Sequence, residues 1–124
     1  MTVAEDVRAF LVAEFGAQPR RSWGFDSLYH RGRLFVLFDG GDLVGKWPVD
    51  QRHELRASIR GVHAFMSDVY DPDSTWLSVP LAGLHTDRAI ELALSAAEYV
   101  HTPAGAPKTR RRGGKPEARI IRPS

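Results

Sequence analysis

Residues 27–48 read Ser-Leu-Tyr-His-Arg-Gly-Arg-Leu-Phe-Val-Leu-Phe-Asp-Gly-Gly-Asp-Leu-Val-Gly-Lys-Trp-Pro, and this stretch restricts the fold more than any other. Two turn signals, one at Gly32 between His30 and Arg33 and one at Gly40-Gly41 between Asp39 and Asp42, divide it into three short apolar runs. Connections that brief join only antiparallel neighbours, so the stretch predicts a β-meander. Its middle run, residues 34–38, is apolar at every position. With the two-residue period of a strand, Leu34, Val36 and Phe38 fall on one face and Phe35 and Leu37 on the other. Both faces therefore need cover. Helices supply it on one side, and the other side requires more protein, from this chain or from a second copy.

Helical periodicity on either side of the meander supplies the helices. Thr2 and Glu5 have the spacing of a capping box, and Val3, Val7, Phe10, Leu11 and Phe15 recur on one face before Gly16, which predicts a first helix over residues 3–15. Residues 18–25 stay open between loop and strand: Pro19, Arg20 and Arg21 have loop composition, whereas Trp23 and Phe25 suit an entry into the sheet. Pro48 ends the meander, and Asp50 is the expected cap of a short second helix over residues 50–60, on which Arg52, Arg56 and Arg60 form a stripe that reads as a solvated face. Residues 63–69 are a candidate strand and Asp71-Pro72-Asp73 a turn. Residues 75–81 form a clearer strand, in which Leu77, Val79 and Leu81 alternate with Trp76, Ser78 and Pro80. From Thr86 onward, Ile90, Ala93, Leu94, Ala97 and Val100 mark the apolar face of a last helix that closes near His101. The expected architecture is α+β: an antiparallel β-sheet of about five strands with the N- and C-terminal helices packed on one face.

A chain of 124 residues suits one domain able to bury a core without metal or disulfide support. The absence of cysteine excludes thiol catalysis, thiolate metal sites and disulfides together. No apolar run is long enough to span a bilayer, and residues 1–16 interrupt their hydrophobic positions with Glu5, Asp6, Arg8 and Glu14, so the expectation is a cytoplasmic protein with no membrane contact. The formal charge of +2 is divided unevenly. Residues 108–124 carry seven basic side chains against one acidic, or +6, and the remainder carries ten basic against fourteen acidic, or −4. The division sets a domain over residues 1–102 apart from a basic extension over 103–124. The extension has the Pro, Gly and Arg content of a disordered tail, while Arg119-Ile120-Ile121-Arg122 is a candidate short strand for pairing with a sheet edge or a neighbouring subunit.

No catalytic constellation is visible. The five histidines, His30, His53, His63, His85 and His101, form no local metal-ligand pair, and surface or turn positions are expected for them. No nucleophile elbow surrounds any serine. Asp39 and Asp42 flank a turn that demands their residue types sterically, and Asp68, Asp71 and Asp73 lack the glycine and glutamate of a calcium loop. No phosphate-binding loop exists, and neither a metal nor another cofactor is implied. The nucleic-acid-like stretch is Arg110-Arg111-Arg112-Gly113-Gly114-Lys115-Pro116, whose clustered cations suit phosphate contact without sequence readout.

The order helix, meander, helix, strands, helix, together with Gly32-Arg33-Leu34-Phe35, Leu43-Val44-Gly45-Lys46-Trp47-Pro48, Trp76-Leu77-Ser78-Val79 and Ala97-Glu98-Tyr99-Val100, resembles the MmcQ/YjbR family of small bacterial proteins over about residues 3–101. The N-terminal domain of TfoX-type proteins is similar in layout. The resemblance implies a CyaY-like fold and a non-enzymatic protein that contacts DNA, with roles for Arg33 in the first turn and Lys46 on the strand beyond; Arg110, Arg111, Arg112 and Lys115 of the tail, read from composition, are expected to join them. The alternative is a protein-interaction or self-association module without a nucleic-acid role, forming a homodimer through an exposed sheet face or the tail.

Overall fold

The computed structural model describes residues 2–65 and 76–106. Its elements are helix α1 (Val3–Glu14), strands β1 (Gln18–Ser22), β2 (Phe25–His30), β3 (Arg33–Asp39) and β4 (Asp42–Lys46), helix α2 (Val49–Ser58), strands β5 (His63–Ala64) and β6 (Trp76–Pro80), and helix α3 (Thr86–Tyr99). One antiparallel sheet holds all six strands in the order β1-β2-β3-β4-β6-β5, one more than expected. The meander is present with both turns where the sequence puts them.

α1 begins at a closed capping box: the Glu5 amide donates to the Thr2 hydroxyl at 3.1 Å and the Thr2 amide to the Glu5 carboxylate at 2.8 Å. α2 differs from expectation at its start. Its N-cap is Pro48, which offers no side-chain hydrogen bond, and Asp50 lies inside the first turn, where it meets the positive end of the helix dipole. The helix also stops at Ser58, because Ile59 is extended (φ −121°, ψ 122°). Residues 18–25 form strand β1, the Trp23-Gly24 turn and the first residue of β2, Phe25. Because residues 18–21 are exposed, no apolar alternation marks that strand. Of residues 63–69, His63 and Ala64 form a strand, and residues 66–75, including the turn at Asp71-Pro72-Asp73, lie outside the described residues. So does everything from residue 107 onward.

All three helices share one core with one face of the sheet, in which Val7, Leu11, Leu28, Phe35, Val36, Leu43, Trp47, Leu55 and Val79 are fully buried. The expected division of β3 fails at Phe35. Leu28 pairs with Val36 and Tyr29 with Leu34, which leaves Phe35 as the extra residue of a β-bulge. The bulge turns Phe35 to the helix side together with Val36, and there it meets Phe15 edge to face at 5.9 Å. Leu37 alone of the expected pair faces the other way. On that second face Leu37 and Val44 have no exposed surface, covered by Phe65 with Phe25 and Trp76 packed against them. The strand is dry on both sides, as its sequence requires.

Gly45 sets how closely α3 approaches the sheet. A Cβ there would stand 2.9 Å from the Trp47 ring and 3.3 Å from Ala96 Cβ. With that space left empty, the Trp47 indole lies flush in the core and its Nε1 donates to the Leu92 carbonyl of α3 at 2.9 Å. The indole thus buries its ring without orphaning its donor.

The outer sheet edge is blunted. The two-residue turn at Trp23-Gly24 makes Ser22 and Phe25 a hydrogen-bonded pair, so by alternation Arg20 and Gln18 also bond to β2, and Pro19 and Arg21 direct their backbone outward. Pro19 has no N–H to give and Arg21 carries charge, two devices that discourage strand addition.

Candidate nucleic-acid interface

Strand directions place the charges of the sheet by position. The N-terminus of β3 (Arg33), the C-terminus of β4 (Lys46) and the β2–β3 turn (Arg31) share one end of the molecule, and Asp39, Asp42 and Asp26 share the other. α3 runs toward the basic end, so its C-terminal carbonyls, the negative pole of its dipole, arrive beside Arg33. Arg33 Nη1 donates to the Val100 carbonyl at 2.7 Å. Lys46 alternates with Gly45 and therefore lies on the opposite face of the sheet, where its Nζ donates to the Gly105 carbonyl at 3.0 Å and stands 5.8 Å from the Trp76 ring centroid. The two contacts fasten residues 100–105 across the basic end, from the helix face to the face beyond. Gly105 fits there because it lacks a side chain: a Cβ would lie 2.1 Å from the Tyr99 carbonyl oxygen.

Arg33 and Lys46 thus share one end of the sheet, and each gives a donor to the chain's own backbone. Arg110, Arg111, Arg112 and Lys115 lie outside the described residues. The sequence places them five to ten residues beyond Gly105. Of the α2 stripe, Arg52 donates to the Trp47 carbonyl at 2.9 Å and Arg56 and Arg60 are exposed.

Beside this end lies a groove of about 690 Å³, lined by Phe15, His30, Arg31, Glu91, Leu94, Ser95, Ala97, Glu98 and His101. His30 stacks on Phe15 at 4.3 Å, and its ring stands 5.6 Å from that of His101, whose Nε2 donates to the His30 carbonyl at 3.1 Å. The His30 Nδ1 is buried without a hydrogen-bond partner among the described residues. Burial pushes the His30 pKa below the ordinary histidine value, and Arg31 and His101 push the same way. No local pattern marks this meeting, because 71 residues separate the two histidines. Among the described residues no group of three or more His, Cys, Asp or Glu side chains is placed to hold a metal ion. Among them, too, no helix is long and apolar enough to cross a membrane.

No protein-family model, curated protein or solved structure matches the chain.

Proposed function

We propose that this chain is a non-enzymatic nucleic-acid-binding protein of MmcQ/YjbR type, which meets phosphate with its basic end and with the cationic segment that follows it. The observation that supports the reading is the fastening of residues 100–105 by Arg33 and Lys46. It hands the chain on, at an end that already carries the exposed Arg31, to a stretch with seven basic side chains. Clustered cations bind duplex by releasing its condensed counterions, without reading bases. Self-association through the second sheet face has less support, since Leu37 and Val44 are already covered there, and the blunted β1 edge discourages pairing between copies.

A gel-shift series with the full-length protein and a short duplex tests this. Binding at low salt that weakens linearly in log-log form as salt rises is expected, with the triple variant Arg110→Ala, Arg111→Ala, Arg112→Ala lowering the slope by about 3. No shift at low salt removes the proposal.

A further inference from the structure

Among the described residues two besides glycine have positive φ, and both sit at hairpin tips: Arg31 (φ 52°) and Trp23 (φ 54°). Each is followed by a glycine, Gly32 (φ 77°) or Gly24 (φ 85°), as in a type I′ turn, whose first central position favours Asn, Asp or Gly. A tryptophan there opposes the backbone preference, and it gains nothing from the core, since Trp23 is 70 % exposed. The tip is held in place around it. Arg21 donates to the Gly24 carbonyl and pairs with Asp26 at 3.0 Å, which fixes the turn and neutralises the one carboxylate of the hairpin. The other side chains of β1 are Gln18, Pro19, Arg20 and Ser22, with no carboxylate among them. The Arg20 guanidinium carbon lies 4.9 Å from the centroid of the Tyr29 ring, and Arg20 is itself exposed.

We propose that the β1–β2 hairpin is a stacking platform for unpaired nucleobases, with Trp23 as the terminal stacking surface and the Arg20–Tyr29 pair as the second. This rests on the nucleic-acid reading above and adds the strand state of the ligand. Duplex bases are already stacked on one another and offer a hairpin only phosphates, whereas a single strand offers π-faces that aromatic rings and guanidinium planes accept whatever the base. The hairpin supplies what such a ligand needs: an exposed indole, a guanidinium–phenol pair, and a strand with no acid of its own, whose Arg21 offsets the Asp26 of β2. The platform starts beside the basic end, where Gln18 pairs with Tyr29, and runs up β1 to Trp23, about 17 Å for a strand of this length. A strand held by phosphate at the basic end is thereby led along it. A protein partner fits less well, because the strand leading to Trp23, Gln-Pro-Arg-Arg-Ser, is exposed over residues 18–21 and has no apolar side chain besides proline to seal an anchor from water.

The test uses the full-length protein with an unstructured thymidine 20-mer and a duplex of equal length, followed by tryptophan fluorescence and by anisotropy of the labelled DNA. Trp47 is fully buried and Trp76 half-buried, so quenching by stacking falls mainly on Trp23. The single strand is expected to quench the emission, and Trp23→Gly to weaken single-strand binding about tenfold with duplex binding unchanged. Since glycine suits the turn, Trp23→Gly is also expected to keep or raise the melting temperature, which separates a lost contact from a lost fold. Arg20→Ala is expected to weaken single-strand binding as well. Equal affinity of wild type and Trp23→Gly for the single strand overturns the platform while leaving phosphate binding intact, and failure to bind either DNA overturns both readings. Concentration-dependent association of the protein that Trp23→Gly abolishes assigns the tryptophan to self-contact and likewise overturns the platform.

Discussion

Single residues decide two properties of this molecule that its pattern of apolar positions does not reveal. At Gly45 the constraint is space: with φ in the ordinary range, a methyl group would be conformationally welcome, yet it would press on the Trp47 ring from 2.9 Å and on Ala96 from 3.3 Å. Both neighbours are fixed in the core, so Gly45→Ala is expected to lower stability by about 1–3 kcal/mol, read as a lower urea midpoint with an unchanged slope. Gly45 follows Val44 in a strand of ordinary composition, and nothing in the sequence separates it from a bulge or a turn glycine. At His30 the property is titration. Its folded pKa is lowered, first by burial and then by Arg31 and His101, while the unfolded chain holds the ordinary value near 6.5. The unfolded state therefore takes the proton more readily. Stability is unaffected by this group above about pH 6.5 and falls as pH drops from there toward the folded value. Glu91 and Glu98 line the same groove, so the contribution of His30 is isolated by difference. Between pH 8 and 5, His30→Gln is expected to lose less melting temperature than the wild type.

Among the elements, the meander was legible because its turns and its apolar run follow from short-range chemistry: Gly32 and Gly40 take the left-handed conformation their turns need (φ 77° and 61°), and Pro48 ends the third run. The first and last helices were legible from their periodicity, α1 down to its Thr2 cap. The bulge at Phe35 was not, since a run apolar at every position keeps its appearance when one residue slips to the other face. β1 was not legible either, because a strand with four exposed residues at the sheet edge carries no alternation. The candidate site was half legible. Resemblance selected Arg33 and Lys46, but their carbonyl partners lie 67 and 59 residues away in sequence, beyond the reach of any spacing argument. The Arg33 contact ties β3 to the C-terminal end of α3. A hydrogen bond from a cation to a helix-terminal carbonyl contributes about 1.5 kcal/mol. Arg33→Met keeps most of the aliphatic stem and removes the donors, so it is expected to cost about that much, with faster amide exchange at Thr102 and the end of α3 and little change in β1 and β2. Uniform acceleration across the sheet would show instead that Arg33 holds the whole fold.

For the molecule as a whole, net charge is a poor guide to what it attracts. Residues 1–107 sum to −4, which taken as an average repels phosphate, yet among the described strands and their turns Arg31, Arg33 and Lys46 share one end and Asp26, Asp39 and Asp42 the other. β3 alone separates Arg33 at one end from Asp39 at the other by six residue steps, about 20 Å, or more than twice the screening length near 8 Å at physiological salt. A phosphate at the basic end therefore lies close to the exposed Arg31 and senses the carboxylates of the far end hardly at all. Arg31 has a particular place here, exposed at a tip whose left-handed backbone favours glycine or asparagine, and so projected from the body. Two substitutions of equal charge change separate local field from average field. Arg31→Ala subtracts one positive charge at the basic end, and is expected to reduce the log-log salt slope of duplex binding by about 1. Asp39→Asn adds one positive charge at the far end, and is expected to leave both slope and affinity within twofold at 150 mM salt. If average charge governed association, Asp39→Asn would tighten binding as much as Arg31→Ala loosens it. If the basic end governs it, only the first substitution registers.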